Sequence, residues 1–157
     1  MKNSSSIISL KLSYVKFATG AVLLLAGCII YVLFRSQSIR LYVWCKALGL
    51  DGIIEQIRNS IGGLSTSDFL LYSLPDGLYS TSYILVMDSL WHGDRPLRRF
   101  SIASAIPFVA IVHELLQGFH IVSGTFDVLD LLCYGVPLGI YLIVCGKDVL
   151  PNKQFKI

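Results

Sequence analysis

"FATGAVLLLAGCIIYVLF", residues 17–34, contains no charged side chain and decides the class of fold. Lys16 precedes this run and Arg35 follows it. About 20 apolar residues cross a bilayer as an α-helix, which satisfies every backbone N–H and C=O group without water. The run therefore predicts a membrane-spanning helix.

The composition of the whole chain also indicates a membrane protein. Of its 157 residues, 54% are hydrophobic and 15% are charged, and the mean hydropathy is +0.67. Soluble domains usually carry about 25% charged residues. The basic residues behind the net charge of +3 lie in short groups between apolar runs, so they do not indicate a nucleic-acid partner. The four cysteines form no CxxC pair and predict no disulfide framework.

A secretory signal peptide is the alternative for the first apolar run, because it is N-terminal and preceded by lysines. The polar segment before the run is long, however, and the run ends in "LFRSQSIR" without the small residues of a cleavage site. A retained helix is therefore favoured.

Three further apolar segments are expected to span the membrane, and a Pro-Asp-Gly sequence interrupts the first of these three. We predict an all-α, polytopic membrane protein with a single membrane domain over residues 1–157 and four transmembrane helices. The four spans are predicted at about 17–34, 69–91, 100–119 and 128–144, with an outer loop at 35–68.

The distribution of lysine and arginine predicts the orientation, because these residues are enriched in cytoplasmic loops. Nine of the thirteen lie on the side of the two termini, and the other four lie in the first outer loop. Both termini are therefore predicted to be cytoplasmic. The nine residues are Lys2, Lys11, Lys16, Arg95, Arg98, Arg99, Lys147, Lys153 and Lys156.

This topology brings five polar side chains to one depth, within roughly the outer third of the bilayer at about 1.5 Å per helical residue. A charged group at the centre of a membrane costs roughly 2.5–3.5 kcal/mol on insertion scales and tends to face a bundle interior or a water-filled cavity. A shared ligand-binding or polar cluster is therefore predicted, with oxygen ligands that suit a divalent cation. Its members are Asp76, Glu114, Gln117, Asp127 and Asp130.

Structural roles remain open for the same side chains. Asp127 is placed to cap the fourth helix and Asp130 to lie in its first turn, where the helix dipole favours a carboxylate. Glu114 and Gln117, three residues apart and so on one helical face, could equally join two helices by hydrogen bonds.

The sequence "HELLQ" at 113–117 differs from the HExxH motif of zinc proteases, because Gln117 stands where the second histidine is required. His120 follows His113 at a distance of about 10 Å along a helix, which is too far for both to bind one zinc ion. These two histidines therefore predict no metal site. His113, His120 and Tyr134 are secondary candidates for the polar cluster.

The run "ELLQGFHIVSGTFDVLDLLCYGVPLG", residues 114–139, resembles the signature of the VanZ-like family of small bacterial membrane proteins. In that family a Glu-x-x-Gln sequence is followed by Arg-Ser-Phe-Asp-x-x-Asp and then by Asn-x-x-Gly. Here Gly124 replaces the arginine and Tyr134 replaces the asparagine, while Asp76 could fill the role of an aspartate on the preceding span. The matching positions are Glu114, Gln117, Phe126, Asp127 and Asp130.

The resemblance implies a four-helix protein of the bacterial cytoplasmic membrane that is linked to the cell envelope. Some members of the family are similar to a teicoplanin-resistance accessory protein, so a role related to antibiotic resistance is also implied.

Two functional classes remain open. In the first, the outer-leaflet cluster engages the head group of an envelope lipid or a lipid-linked carrier, either as a binding site or with carboxylates that act as general acid and base. In the second, the protein is a non-catalytic structural or accessory subunit of a larger membrane complex. Residues 38–62 of the outer loop predict an amphipathic helix, which would lie in the membrane interface or bind a protein partner.

Overall fold

The structure, a computed structural model, describes residues 2–61, 67 and 69–149, and within them the side chains of 7–61, 67 and 69–146. Every regular element in these residues is helical, which confirms the all-α class. Lys153 and Lys156, two of the predicted cytoplasmic charges, lie outside the described residues. The elements are α1 (Lys2–Phe34), α2 (Arg40–Ala47), α3 (Asp51–Ile61), a π-helical turn (Phe69–Ser73), α4 (Leu74–Leu90), α5 (Pro96–Gly118) and α6 (Val128–Val149).

Three of the described helices are long and apolar enough to cross a membrane, which supports a multi-pass membrane protein. Their candidate spans are Ile7–Phe34 within α1, Pro96–Gly118 for α5 and Val128–Gly146 within α6. α1 begins well before the predicted start at residue 17, because adding a residue to an existing helix needs no new nucleus.

α4 corresponds to the second expected span, and it is 17 residues long. The preceding π-helical turn extends the helical segment back to Phe69. Pro75 occupies the first turn of α4, where its missing N–H group removes no intrahelical hydrogen bond. The change from π-helix to α-helix therefore falls immediately before the Pro-Asp-Gly sequence.

α4 is the central helix of the bundle. It packs against α1, α5 and α6, and α5 also packs against α6. α1 contacts neither α5 nor α6 in the described part of the chain. Two glycines bring α1 close to α4: the Gly20 carbonyl accepts a hydrogen bond of 2.7 Å from the Ser82 hydroxyl, and Gly27 lies against the ring of Tyr79.

The long helices alternate in direction, so the bundle has two distinct ends. At one of them, here called the Asp76 end, α1 and α5 finish while α4 and α6 begin. At the other, the Asp88 end, the Ser13 hydroxyl of α1 donates to the Ser89 carbonyl at 2.8 Å. This contact places the first half of α1 beside the last turn of α4.

The loop at 38–62 forms two short helices and not one continuous helix. Gly49 lies between α2 and α3 with φ of 75°, the left-handed conformation in which glycine often ends a helix. Arg58 of α3 donates to two carbonyls at the end of α1, those of Val32 at 3.1 Å and Arg35 at 2.8 Å. Because these carbonyls lack partners within α1, Arg58 both caps α1 and fixes the loop at the Asp76 end.

Candidate functional site

Polar groups from four helical segments meet at the Asp76 end. Asp76 is half-buried in the first turn of α4, and its carboxylate lies close to the Tyr134 side chain of α6. Asp130 precedes Tyr134 by one helical turn, on the same face of α6. Glu114 and Arg35 also lie near enough for their charges to interact with Asp76. The structure thus brings together Asp76, Glu114 and Asp130, with Tyr134 and an additional cation.

Glu114 joins α5 to the beginning of α6. Its side chain is buried, and its Oε2 atom accepts a hydrogen bond of 3.4 Å from the backbone N–H of Asp127. The Asp127 carboxylate in turn accepts a hydrogen bond of 2.8 Å from the backbone N–H of Leu129. Asp127 is therefore in the geometry of a helix cap, and its role in α6 needs no ligand.

Gln117 and the two histidines lie at the edge of this cluster. Gln117 shares a hydrogen bond of 3.3 Å with His113 one turn earlier in α5, and its amide packs against Gly124 in the loop that follows. His120 is exposed in the turn after α5, with φ of 57°. Within the described residues, no three His, Cys, Asp or Glu side chains converge as a group that could hold a metal ion.

Two buried atoms at the Asp76 end have no hydrogen-bond partner among the described residues: Oδ1 of Asp130 and Nε of Arg35. The Arg35 guanidinium lies 4.7 Å from the ring centre of Tyr72 and 5.1 Å from that of Tyr31. In the sequence pattern Arg35 is the charge that ends the first span. Its position one residue after α1, at the depth of Asp76, is the signal that marks it as a candidate member of the polar cluster.

A second polar cluster, centred on Asp88, was not predicted. The side chain of Asp88 is 2% exposed. Its Oδ2 atom lies 2.6 Å from Lys16 Nζ, and its Oδ1 atom lies 2.8 Å from Arg99 Nε and accepts a 2.9 Å hydrogen bond from the Tyr141 hydroxyl. Each of the other three long helices therefore supplies one partner to this carboxylate. With two cations and one anion, the Asp88 cluster carries a net charge of +1.

The sequence did contain a signal for the Asp88 cluster. Asp88 is a single acidic residue near the end of an apolar segment, while Lys16 and Arg99 border the predicted first and third spans on the same side. In the predicted topology all three residues lie near the cytoplasmic ends of their spans. Lys16 and Arg99 contribute to the predicted orientation, and the sequence pattern assigns neither of them to Asp88 as a partner.

Comparison of the chain with protein-family models, curated proteins and solved structures finds no match in any of the three. The resemblance to the VanZ-like family therefore stays a prediction, carried by the motif at residues 114–139.

Replacement of Gly124 by alanine is expected to lower the free energy of unfolding by about 1–2 kcal/mol. Gly124 has φ of 144°, which side-chain-bearing residues rarely adopt, and an added Cβ atom would overlap the Gln117 amide. Thermal unfolding in detergent, followed by circular dichroism, measures the effect. Gly52→Ala is the control, because a Cβ atom there meets no atom within 4 Å, and we expect no loss of stability from it. Equal stability of both variants would contradict the loop conformation.

Proposed function

We propose that the chain is an integral membrane protein of the bacterial cell envelope, similar to the VanZ-like family, that binds an envelope lipid or lipid-linked carrier by its polar head group at the Asp76 end. The unpartnered buried atoms of Asp130 and Arg35 carry this proposal. A cluster whose sole role is to join helices would satisfy its own donors and acceptors, because unsatisfied buried polar groups are costly. A free donor and a free acceptor at the same end of the bundle suit a ligand that offers both.

The charges at the Asp76 end suggest the chemistry of the head group. A guanidinium such as that of Arg35 suits a phosphate oxygen. The three carboxylates of Asp76, Glu114 and Asp130 favour an ammonium group or hydroxyl donors. A divalent cation would have to take further oxygen ligands from the lipid phosphate, because the described carboxylates form no group of three ligands.

In this proposal α4 crosses the membrane together with α1, α5 and α6, because it packs against all three. The excess of lysine and arginine at the Asp88 end favours a cytoplasmic position for that end, in the bacterial inner membrane. α2 and α3 would then lie in the outer interface. Trp44, Leu48 and Ile53 on this pair are exposed, as expected for side chains that enter the head-group region.

The same exposed side chains favour a second candidate function, that of a non-catalytic accessory subunit. Contiguous apolar surface on a loop outside the spans can also bind a partner protein. In that case the Asp76 end would be a clamp that stabilises the bundle, and α2 with α3 would be the docking surface.

Arg35→Gln and Asp130→Asn are each expected to weaken lipid binding at least about tenfold, the effect of losing roughly 1.4 kcal/mol of interaction. The protein in detergent micelles is titrated separately with undecaprenyl phosphate and with phosphatidylethanolamine, and bound lipid is measured by native mass spectrometry. Arg40→Gln is the matched control, since Arg40 is exposed at the start of α2. Unchanged binding by folded Arg35→Gln and Asp130→Asn would reject the lipid site and favour the accessory subunit.

A further inference from the structure

A groove between α1 and α6 at the Asp88 end has no role in the site described above. Because the backbones of α1 and α6 do not approach each other in the residues described, α4 forms the floor between them. A cavity of about 360 Å³ opens there, with apolar walls that include Ile84 of α4 and Ile140 and Val144 of α6. Lys16, Asp88 and Tyr141 lie at one end of this cavity. The groove is therefore apolar along its walls and carries charged side chains at one end.

The groove continues along α4 and α6 toward the Asp76 end. A second cavity of about 430 Å³ shares Thr81, Val136 and Pro137 with the first and extends past Leu78 to Leu74 and Phe69. From Asp88 to Leu74 the distance along α4 is about 21 Å at 1.5 Å per residue. The two cavities therefore run deeper than one leaflet, which is about half of the 30 Å hydrocarbon core, and offer room along the length of an acyl chain that enters from the Asp88 end.

The size of the first cavity favours an acyl chain over a protein helix. A helix with a diameter of about 10 Å displaces roughly 800 Å³ over the roughly 10 Å of α4 from Asp88 to Thr81 that the first cavity spans. The cavity of about 360 Å³ is less than half as large, and it lies in the range of roughly 300–1,000 Å³ that is typical of small-molecule sites.

The charge at the head of the groove favours an anionic ligand. The Lys16 side chain is 27% exposed and uses one of its three ammonium protons on Asp88. With Arg99 the cluster has a net charge of +1, and Lys11 and Arg95 are exposed at the same end. Each basic residue near a membrane surface contributes about 1 kcal/mol toward binding anionic lipid.

We propose that this groove is a binding site for an anionic phospholipid, with one acyl chain between α1 and α6 and the phosphate on Lys16. The site lies at the opposite end of the bundle from the head-group site proposed above and does not depend on it. Asp88 positions Lys16 for the phosphate, and Tyr141 holds Asp88 in turn.

The test compares phosphatidylglycerol with phosphatidylcholine of identical acyl chains, each titrated into the full-length protein in detergent micelles. Native mass spectrometry measures the fraction of protein that carries one lipid. The wild-type protein is expected to bind phosphatidylglycerol at least about tenfold more tightly, and Ile140→Trp, which fills the groove without touching its charges, is expected to remove that binding. Ile143→Trp is the matched control, because Ile143 is exposed on α6 and lines neither cavity.

Lys16→Gln should reduce the preference for phosphatidylglycerol while leaving binding of phosphatidylcholine unchanged. If this variant does not fold, Ile140→Trp still decides the matter. Equal binding of the two lipids by the wild-type protein would overturn the proposal, and so would unchanged binding by Ile140→Trp. A protein dimer that Ile140→Trp dissociates would also overturn it, since the occupant would then be a helix of a second copy.

Discussion

Replacement of Asp88 by asparagine is expected to lower the free energy of unfolding by about 3 kcal/mol, the low end of the range for removing one partner of a buried ion pair. Asparagine keeps the shape of the side chain but leaves Lys16 and Arg99 without a counter-charge. Arg99 is 17% exposed and Lys16 is 27% exposed, so water relieves part of the cost. Because Asp88 contacts all three neighbouring helices, the loss should affect the whole bundle.

Thermal unfolding of the purified protein in a mild detergent, followed by helical circular dichroism, measures this effect. Asp94→Asn is the matched control, since Asp94 forms a 2.9 Å pair with Arg98 that is largely exposed. Exposed pairs contribute about 0–1 kcal/mol, so this control should unfold close to the wild-type midpoint. Equal midpoints for the two variants would show that Asp88 is not paired as described.

Removal of the whole Asp88 cluster separates the effect of charge from the effect of packing. Apolar residues of similar volume often replace a buried ion pair without loss of stability. A variant without any of the four polar groups should therefore be more stable than Asp88→Asn. That variant combines Lys16→Met, Asp88→Leu, Arg99→Met and Tyr141→Phe.

Hydropathy alone was sufficient to predict the all-α class and the apolar helices, because the cost of exposing backbone groups in lipid leaves few alternatives. It also placed Asp76, Glu114 and Asp130 at one depth, since a residue's depth follows from its distance along a helix. The rotation of each helix about its own axis does not follow from hydropathy. Lys16 could therefore be assigned a depth but not a partner.

Features that depend on neighbouring residues in the sequence were easier to predict than contacts between distant segments. The capping position of Asp127 depends on the residue itself and on the helix that follows, so it was among the alternatives considered from the sequence. The contact between Glu114 and the Asp127 backbone depends on the path of the intervening loop, which no periodic pattern encodes. The break at Gly49 also escaped prediction, because the apolar period continues across it and a glycine within a helical pattern is tolerated.

Gly20→Leu is expected to lower the free energy of unfolding by about 3 kcal/mol, at the upper end of the usual cost of overpacking. A Cβ atom at Gly20 would lie 2.8 Å from Val86 Cγ2 and 3.1 Å from the Ser82 carbonyl oxygen. The Val86 side chain can rotate, but the carbonyl belongs to the backbone of α4. Leucine would therefore force α1 away from α4 and break the hydrogen bond between Ser82 and Gly20.

The effect of Gly20→Leu should be large because α1 has no contact with α5 or α6 in the described structure, so α4 is its principal support within the bundle. Ala18→Leu is the matched control, since Ala18 lies on an exposed face of α1 two residues earlier. The midpoint of thermal unfolding in detergent should fall for Gly20→Leu and remain unchanged for Ala18→Leu. The midpoint of Gly20→Ala should lie between those of the other two variants. Its Cβ atom meets the same Ser82 carbonyl, but alanine lacks the rest of the leucine side chain. Identical midpoints for all three would mean that α1 and α4 do not meet at Gly20, and the central position of α4 would then be wrong.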